Sequence, residues 1–151
     1  MPPATRGLYF EEFEIGQRIT TASRTITEAD IARFAGLSGD YNSLHTDRVF
    51  ARATPYEQRI AHGMLVLSVA TGLAVQQGFI DGTALAFREV GWKFSAPVFI
   101  GDTVRLVVEV TGLKPMSKLG GGLVVLKAAV VNQAGKTVQR GEWRMLMKSR
   151  D

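Results

Sequence analysis

The spacing of hydrophobic residues in this chain changes character twice. From Met64 to Val75 almost every position is apolar or small. That pattern predicts a helix covered on all faces rather than an amphipathic surface helix. The run is too short to cross a bilayer as a helix. After Thr83 the period becomes two. Val104, Leu106, Val108 and Val110 alternate with Thr103, Arg105, Val107 and Glu109, while Gly141, Trp143, Met145 and Met147 alternate with Arg140, Glu142 and Arg144. Both stretches read as strands. Leu123 to Val131 is apolar with few breaks, as expected of a strand covered on both faces. Lys114 to Gly122, rich in Gly and Pro, predicts a hairpin loop, and Asn132 to Lys136 predicts a hairpin turn.

The first third of the chain is more broken. Gly16 to Thr25 predicts a first strand. Thr27, with Asp30 three residues on, predicts a capped helix that stops near Gly36. A polar loop then runs from Ser38 to His45, and Thr46 and Asp47 cap a further short helix through about Ala53, before Pro55. The count is about five strands and one enclosed helix, and only the sheet is available to wrap that helix. The predicted class is α+β: a hotdog fold, with a curved antiparallel sheet of about five strands around a long buried central helix, in a single domain over residues 1–151. The open edges of such a sheet predict a homodimer.

Composition narrows the chemistry. Apolar residues are 46% and charged residues 21% of the chain, the balance of an ordinary globular protein. With no cysteine, disulfides, thiolate ligands and a cysteine nucleophile are excluded. Two histidines without cysteine show no metal-ligand spacing, so neither a metal nor a separate cofactor is expected. The formal charge of +4 suits an anionic ligand, but the basic residues are scattered and do not interleave with aromatics, so nucleic acid is not an expected partner. Met1 to Gly7 lacks a basic flank leading into an apolar stretch, which predicts a cytoplasmic protein without a signal peptide or membrane segment.

Three features could act together. Asp40 and His45 lie in one turn-rich segment with Gly39, Asn42 and Ser43, where a loop can bring a carboxylate and an imidazole onto one water. Gly63, in Ala61-His62-Gly63-Met64, stands where the enclosed helix begins, and helix starts carry unpaired N–H groups suited to a developing enolate oxygen. Base, acid and oxyanion donor are what addition of water to an α,β-unsaturated thioester needs. Taken singly, each residue has a plainer reading: Asp40 as a turn former, His62 as a structural histidine, Ser38 and Ser43 as turn residues without a Gly-x-Ser-x-Gly elbow.

Phe34 through His45, His62-Gly63-Met64, and Phe94-Ser95-Ala96-Pro97-Val98 with Gly101-Asp102 together resemble the MaoC-like dehydratases, which include the (R)-specific enoyl-CoA hydratases; the likeness runs from about Phe10 to Met147. The resemblance implies a hotdog homodimer, a CoA or acyl-carrier-protein thioester as substrate, an (R)-3-hydroxyacyl product, Asp40 and His45 holding the water, and Gly63 as oxyanion donor. It implies a supporting role for Asn42 and, on the buried helix, for Thr71, with Ser68 as the alternative hydroxyl. His62, Met64 and Ala74 are assigned to substrate binding, and the stretch Ala74 to Phe79 to the acyl tunnel. The chain departs from the family pattern at Ser43, where proline is usual. Arg88, Lys93, Lys114 and Lys118 are the cations suggested for the CoA phosphates. A hotdog thioesterase is the rival activity, disfavoured because Met64 to Gln77 contains no Asp or Glu. A noncatalytic acyl-thioester-binding subunit is the rival from another class.

Overall fold

The structure, a computed structural model, describes residues 6–151; residues 1–5, on which much of the signal-peptide reading rests, lie outside the described residues. After a 3₁₀ turn at Phe10–Glu12 come two short strands, β1 (Arg18–Thr20) and β2 (Arg24–Thr25). Three helices follow, α1 (Glu28–Ser38), α2 (Ser43–Thr46) and α3 (Arg48–Arg52), and then the long α4 (Gly63–Gln77). The remainder is β3 (Ala84–Phe94), β4 (Thr103–Met116), β5 (Gly121–Val131) and β6 (Thr137–Lys148). The sheet is antiparallel with order β1-β4-β5-β6-β3, and β2 also pairs with β4. None of the described helices is long and apolar enough to cross a membrane.

The predicted first strand is two. At Thr21 the side-chain hydroxyl, rather than a backbone carbonyl, accepts the Leu106 N–H at 3.0 Å, while the Thr21 N–H donates to the Leu106 carbonyl at 2.9 Å. A side chain that replaces a ladder bond ends regular pairing there. The predicted Lys114 to Gly122 loop is shorter than expected, because β4 runs through Pro115 and pairs Lys114 with Leu123 and Met116 with Gly121. Proline is tolerated because β1 pairs only as far as Glu109, leaving this end of β4 with a partner on one side. A 3₁₀ turn, Ser117–Leu119, closes the hairpin.

The core lies between α4 and the inner face of the sheet. Leu65, Val66, Val69, Ala70, Leu73 and Ala74 of α4 pack with Val104, Leu106, Val108, Leu126, Val130 and Trp143, all buried. Each fully buried Val or Leu contributes about 1.5–3 kcal/mol, so this layer dominates the fold's stability. Two expectations about coverage need correction. Along β5 burial alternates, with Val124, Leu126, Ala128 and Val130 inward and Lys127 exposed, so only one face is closed. On α4 a stripe through Met64, Ser68 and Val75 stays exposed within the chain, with Thr71 and Gly72 half-covered. The sheet covers one side of that helix, at Leu65, Val66, Val69, Ala70, Leu73 and Ala74, and leaves the opposite stripe open.

Candidate active site

The segment that carries Asp40 and His45 is a series of local hydrogen bonds. Helix α1 begins at a reciprocal cap: the Asp30 N–H donates to the Thr27 hydroxyl, and the Thr27 N–H donates to the Asp30 carboxylate at 2.9 Å. Burial pushes the Asp30 carboxyl up, but hydrogen bonds with Thr27 and the Arg24 guanidinium together outweigh it and hold the group below its ordinary value. The helix passes the predicted stop at Gly36 and ends at Gly39, which takes the left-handed conformation (φ 79°) that glycine adopts without strain. Ser38 then donates to the Phe34 carbonyl and accepts from the Asp40 N–H.

From Asp40 onward, each polar residue supports the next. The Asp40 carboxylate accepts the Asn42 N–H at 3.1 Å, and the Asn42 side chain accepts the Leu44 N–H at 3.0 Å, capping α2. His45 therefore sits on a turn of helix and not in a loop, as the sequence suggested, and Asp47 caps α3 separately. Ser43 occupies the first helical position of α2, a place where proline would be preorganised but is not required, because Asn42 supplies the cap.

The two histidines stack with ring centroids 3.9 Å apart and planes 30° apart. A His45 Nδ1 atom 2.7 Å from the Ile60 carbonyl must carry the proton, since a carbonyl only accepts, and this leaves Nε2 as the lone-pair nitrogen of the neutral ring. By the same reasoning His62 Nε2–H donates to the Asp40 carbonyl at 2.9 Å. His62 is 2% exposed, and its Nδ1 has no partner. It also packs at 4.9 Å against Phe34. His62 thus ties the start of α4 to the Asp40 turn from behind His45. It does not line the neighbouring cavity, which argues for the structural reading over substrate contact.

One ligating atom from each of Asp40, His45 and His62 lies within 4.8 Å of the others. Each ring has already committed one nitrogen to a backbone carbonyl, which leaves one nitrogen on each ring, and the Asp40 side chain, for any further ligand. A water or an ion can be held by such a set, and the geometry meets the reach required for proton transfer through one water.

Beside this cluster is a cavity of about 450 Å³, lined by His45, Tyr56, Gly63, Met64, Phe94 and Gln139 among others. Its far wall, Ser95 to Val98, is held by the Ala61 N–H on the Val98 carbonyl at 2.7 Å and by the bridge between Ile60 and Phe99. Asp102 accepts the Phe99 N–H, so the Gly101-Asp102 pair acts as the turn that sets this wall. At the start of α4 the N-cap is His62, which makes no side-chain cap, so the first-turn N–H groups are left for another acceptor. A Cβ on Gly63 would come within 2.6 Å of the Phe94 ring. Any side chain at this position would have to displace that ring.

Within one chain the structure clusters Asp40, His45 and His62, with Asn42 as the cap between the first two, and sets His45, Gly63 and Met64 on the cavity, which Asp40, exposed, does not line. Thr71 is elsewhere: it donates to the Ser68 carbonyl and, with Ser68 and Val75, lines a different hollow between α4 and β3. Ala74 is fully buried in the core, and Phe79 is buried with it. The four suggested phosphate cations do not converge. Arg88 and Lys114 share one hollow with Arg144, whereas Lys93 joins Lys127 and Arg140 in another. Sequence reasoning missed Tyr56 and Gln139. For Gln139 a signal existed: it shares the inward phase of Gly141, Trp143 and Met145, where a polar residue is unexpected.

Comparison with known proteins bears on the fold and the family. The family model described as a MaoC like domain matches residues 11–132. A protein of Rhodospirillum rubrum named as an (R)-specific enoyl-CoA hydratase is 39% identical over 142 residues, covering 94% of this chain and 93% of its own. The unliganded structure of R-hydratase PhaJ1 from Pseudomonas aeruginosa superposes with a TM-score of 0.83 at 30% identity, covering 95% of this chain and 88% of that one. A Mycobacterium tuberculosis protein described as having a double hotdog fold matches with a TM-score of 0.81 at 24% identity, covering 97% of this chain and 46% of that one, a likeness of fold alone. A long helix packed against an antiparallel sheet, together with these matches, places the chain in the MaoC-like domain family, with its hotdog fold.

Proposed function

We propose that this protein catalyses the reversible addition of water to trans-2-enoyl-CoA thioesters, giving (R)-3-hydroxyacyl-CoA, with a carrier-protein thioester as the other form of substrate. The observation that carries the reading is the pairing of the Asp40 carboxylate with a His45 ring whose Nδ1–H is committed to Ile60, beside a cavity that reaches the uncapped start of α4. The names of the relatives at about 40% identity support the reaction class and its stereochemistry.

In this reading a water lies between Asp40 and His45 Nε2. As its oxygen attacks the β-carbon, Nε2 takes its proton, and the double-bond electrons move to the thioester oxygen. That enolate oxygen accepts from the Gly63 N–H, where the helix start adds partial positive charge. The imidazolium then returns one proton to the α-carbon, and the enolate collapses. One water has been added and the ring is neutral again. Asp40 orients the water and offsets the transient charge on His45. No cofactor is consumed, and CoA enters only as part of the substrate.

The exposed stripe on α4 lies in the same chain as an unpaired edge: β3 has a partner only on its β6 side, and it exposes Leu85, Phe87, Val90 and Phe94. A second copy pairing along β3 would satisfy the free backbone groups and cover these side chains, so the working form is a homodimer. A monomer by light scattering at micromolar concentration would refute this.

Crotonyl-CoA tests the activity. Loss of enone absorbance without release of thiol is the expected result. Free CoA would instead indicate a thioesterase, a reading that the absence of any carboxylate on α4 disfavours. Binding of acyl-CoA without turnover at any chain length would indicate a noncatalytic subunit.

A further inference from the structure

One buried polar side chain links the sheet to the start of α4. Gln139 lies on β6, 2% exposed, opposite Phe94 of β3 and Val130 of β5. The β5–β6 register shifts between Val130 and Val131, so Val138 has no partner of its own, and both Val138 and Gln139 are buried. Bulges of this kind re-aim side chains. The Val138 carbonyl meanwhile accepts the Ser95 and Ala96 N–H groups, at 2.8 and 3.0 Å, on the cavity wall.

Burying an amide costs about 1–3 kcal/mol unless its atoms are paired. Both ends of Gln139 are. Trp92 Nε1–H donates to Oε1 at 2.8 Å, and because an indole nitrogen only donates, the orientation of the amide is fixed. Nε2 then donates to the Gly63 carbonyl at 3.1 Å. That carbonyl shares a peptide plane with the Met64 N–H and a Cα with the Gly63 N–H. Glycine has the widest backbone freedom and no side chain caps this helix, so beside the His62 and Ala61 bonds that anchor the segment, the Gln139 bond acts directly on the first peptide of the turn.

We propose that Gln139, itself held by Trp92, is a positioning residue that locks the Gly63–Met64 peptide and so aims the first-turn N–H groups of α4 at the thioester oxygen. This rests on the hydratase reading above. Gln139 acts through Gly63 and not on the reacting atoms.

Two variants test it. Gln139→Met keeps the length and removes both hydrogen bonds; its kcat should fall about 10- to 100-fold, the scale of lost supporting contacts, with KM within about threefold. Gln139→Glu keeps the shape but sets a carboxylate oxygen against the Gly63 carbonyl when ionised and an O–H donor there when protonated. Burial favours the neutral acid, so the ratio of its kcat to that of the unsubstituted protein should rise as pH is lowered from about 8 to about 6. A purely structural role would lower the melting temperature of both variants and leave that ratio flat. If Gln139→Met fails to fold, Trp92→Phe, which frees only Oε1, should show a smaller loss in kcat with KM again unchanged. In ¹⁵N–¹H spectra of the substrate-free protein, the Gly63 and Met64 amides should move in the Gln139→Met variant while Gly135, in the β5–β6 turn, stays in place. Unmoved Gly63 and Met64 resonances, a flat pH ratio, or a kcat within about twofold would overturn the proposal. Should the unsubstituted protein hydrate no enoyl-CoA, the hydratase reading falls by itself, and the amide spectra still decide whether Gln139 sets the helix start.

Discussion

Gly63→Ala separates what the start of α4 does for the fold from what it does for a ligand. The added Cβ would lie 2.6 and 2.7 Å from two carbons of the Phe94 ring, against about 3.5–4.0 Å for comfortable contact, so the ring must move by about 1 Å. In the single chain Phe94 is 54% exposed on an edge strand and can swing outward at small cost, whereas in the β3-paired dimer the same movement would disturb the interface. Alanine gains up to about 1 kcal/mol over glycine in a helix, less at the first position, which offsets much of that cost. For the single chain the net change should stay within about 1 kcal/mol, or about 4 °C in melting temperature at this size. Function should suffer far more, because both the methyl group and the displaced ring enter the space from which the thioester oxygen approaches. Alanine keeps the backbone N–H, so the loss is steric: a thioester oxygen held away from that donor forfeits up to the worth of one oxyanion contact, about 10²- to 10³-fold in kcat, or about 2.7–4 kcal/mol. Thermal melts by circular dichroism and hydration of crotonyl-CoA followed by absorbance read the two effects separately. A variant that keeps kcat/KM within about threefold would show that the thioester oxygen does not approach past the Gly63 Cα, against placing the oxyanion at this N–H. A fall in melting temperature beyond about 10 °C would show that Phe94 cannot yield as argued.

Asp40→Asn and His45→Ala should each lower kcat by about 10²- to 10⁴-fold in the same assay, and the double variant should be little worse than either, because the two act on one water; additive losses would argue against a shared water. Chelation with excess EDTA should leave activity unchanged, and loss restored by added Zn²⁺ would instead make Asp40, His45 and His62 a metal centre. Asp30→Asn removes the ion pair with Arg24 (2.7 Å) and weakens the cap of α1, and should cost about 1 kcal/mol near neutral pH. Its folded pKa lies below the unfolded value of about 3.9, so the stabilisation is full above that value and is lost as pH falls through the folded pKa. The melting-temperature gap between Asp30→Asn and the unsubstituted protein should therefore hold from about pH 7 to about pH 5 and narrow only as pH falls below about 4, and a gap that stays constant through that acid range would refute the assignment.

Local chemistry written in consecutive residues was legible from the sequence. The Thr27–Asp30 cap, the period-two strands, the apolar run of α4 and the turn residues around Asp40 all act within a few positions, so spacing alone reveals them. Asp40, His45 and Gly63 were readable as a set because their residue types fit one reaction. Tertiary structure decided whatever depends on contacts far apart in the chain. It tied His62 to the Asp40 carbonyl, gave His45 its tautomer through Ile60, and set Phe94 against Gly63. It also placed Thr71 and Ala74 away from the cluster and left one stripe of α4 uncovered. Gln139 shows the boundary most clearly. Its inward phase is written in the strand, but its partners are residues 47 and 76 positions away, and only the bulged sheet closing on α4 brings them within hydrogen-bonding distance.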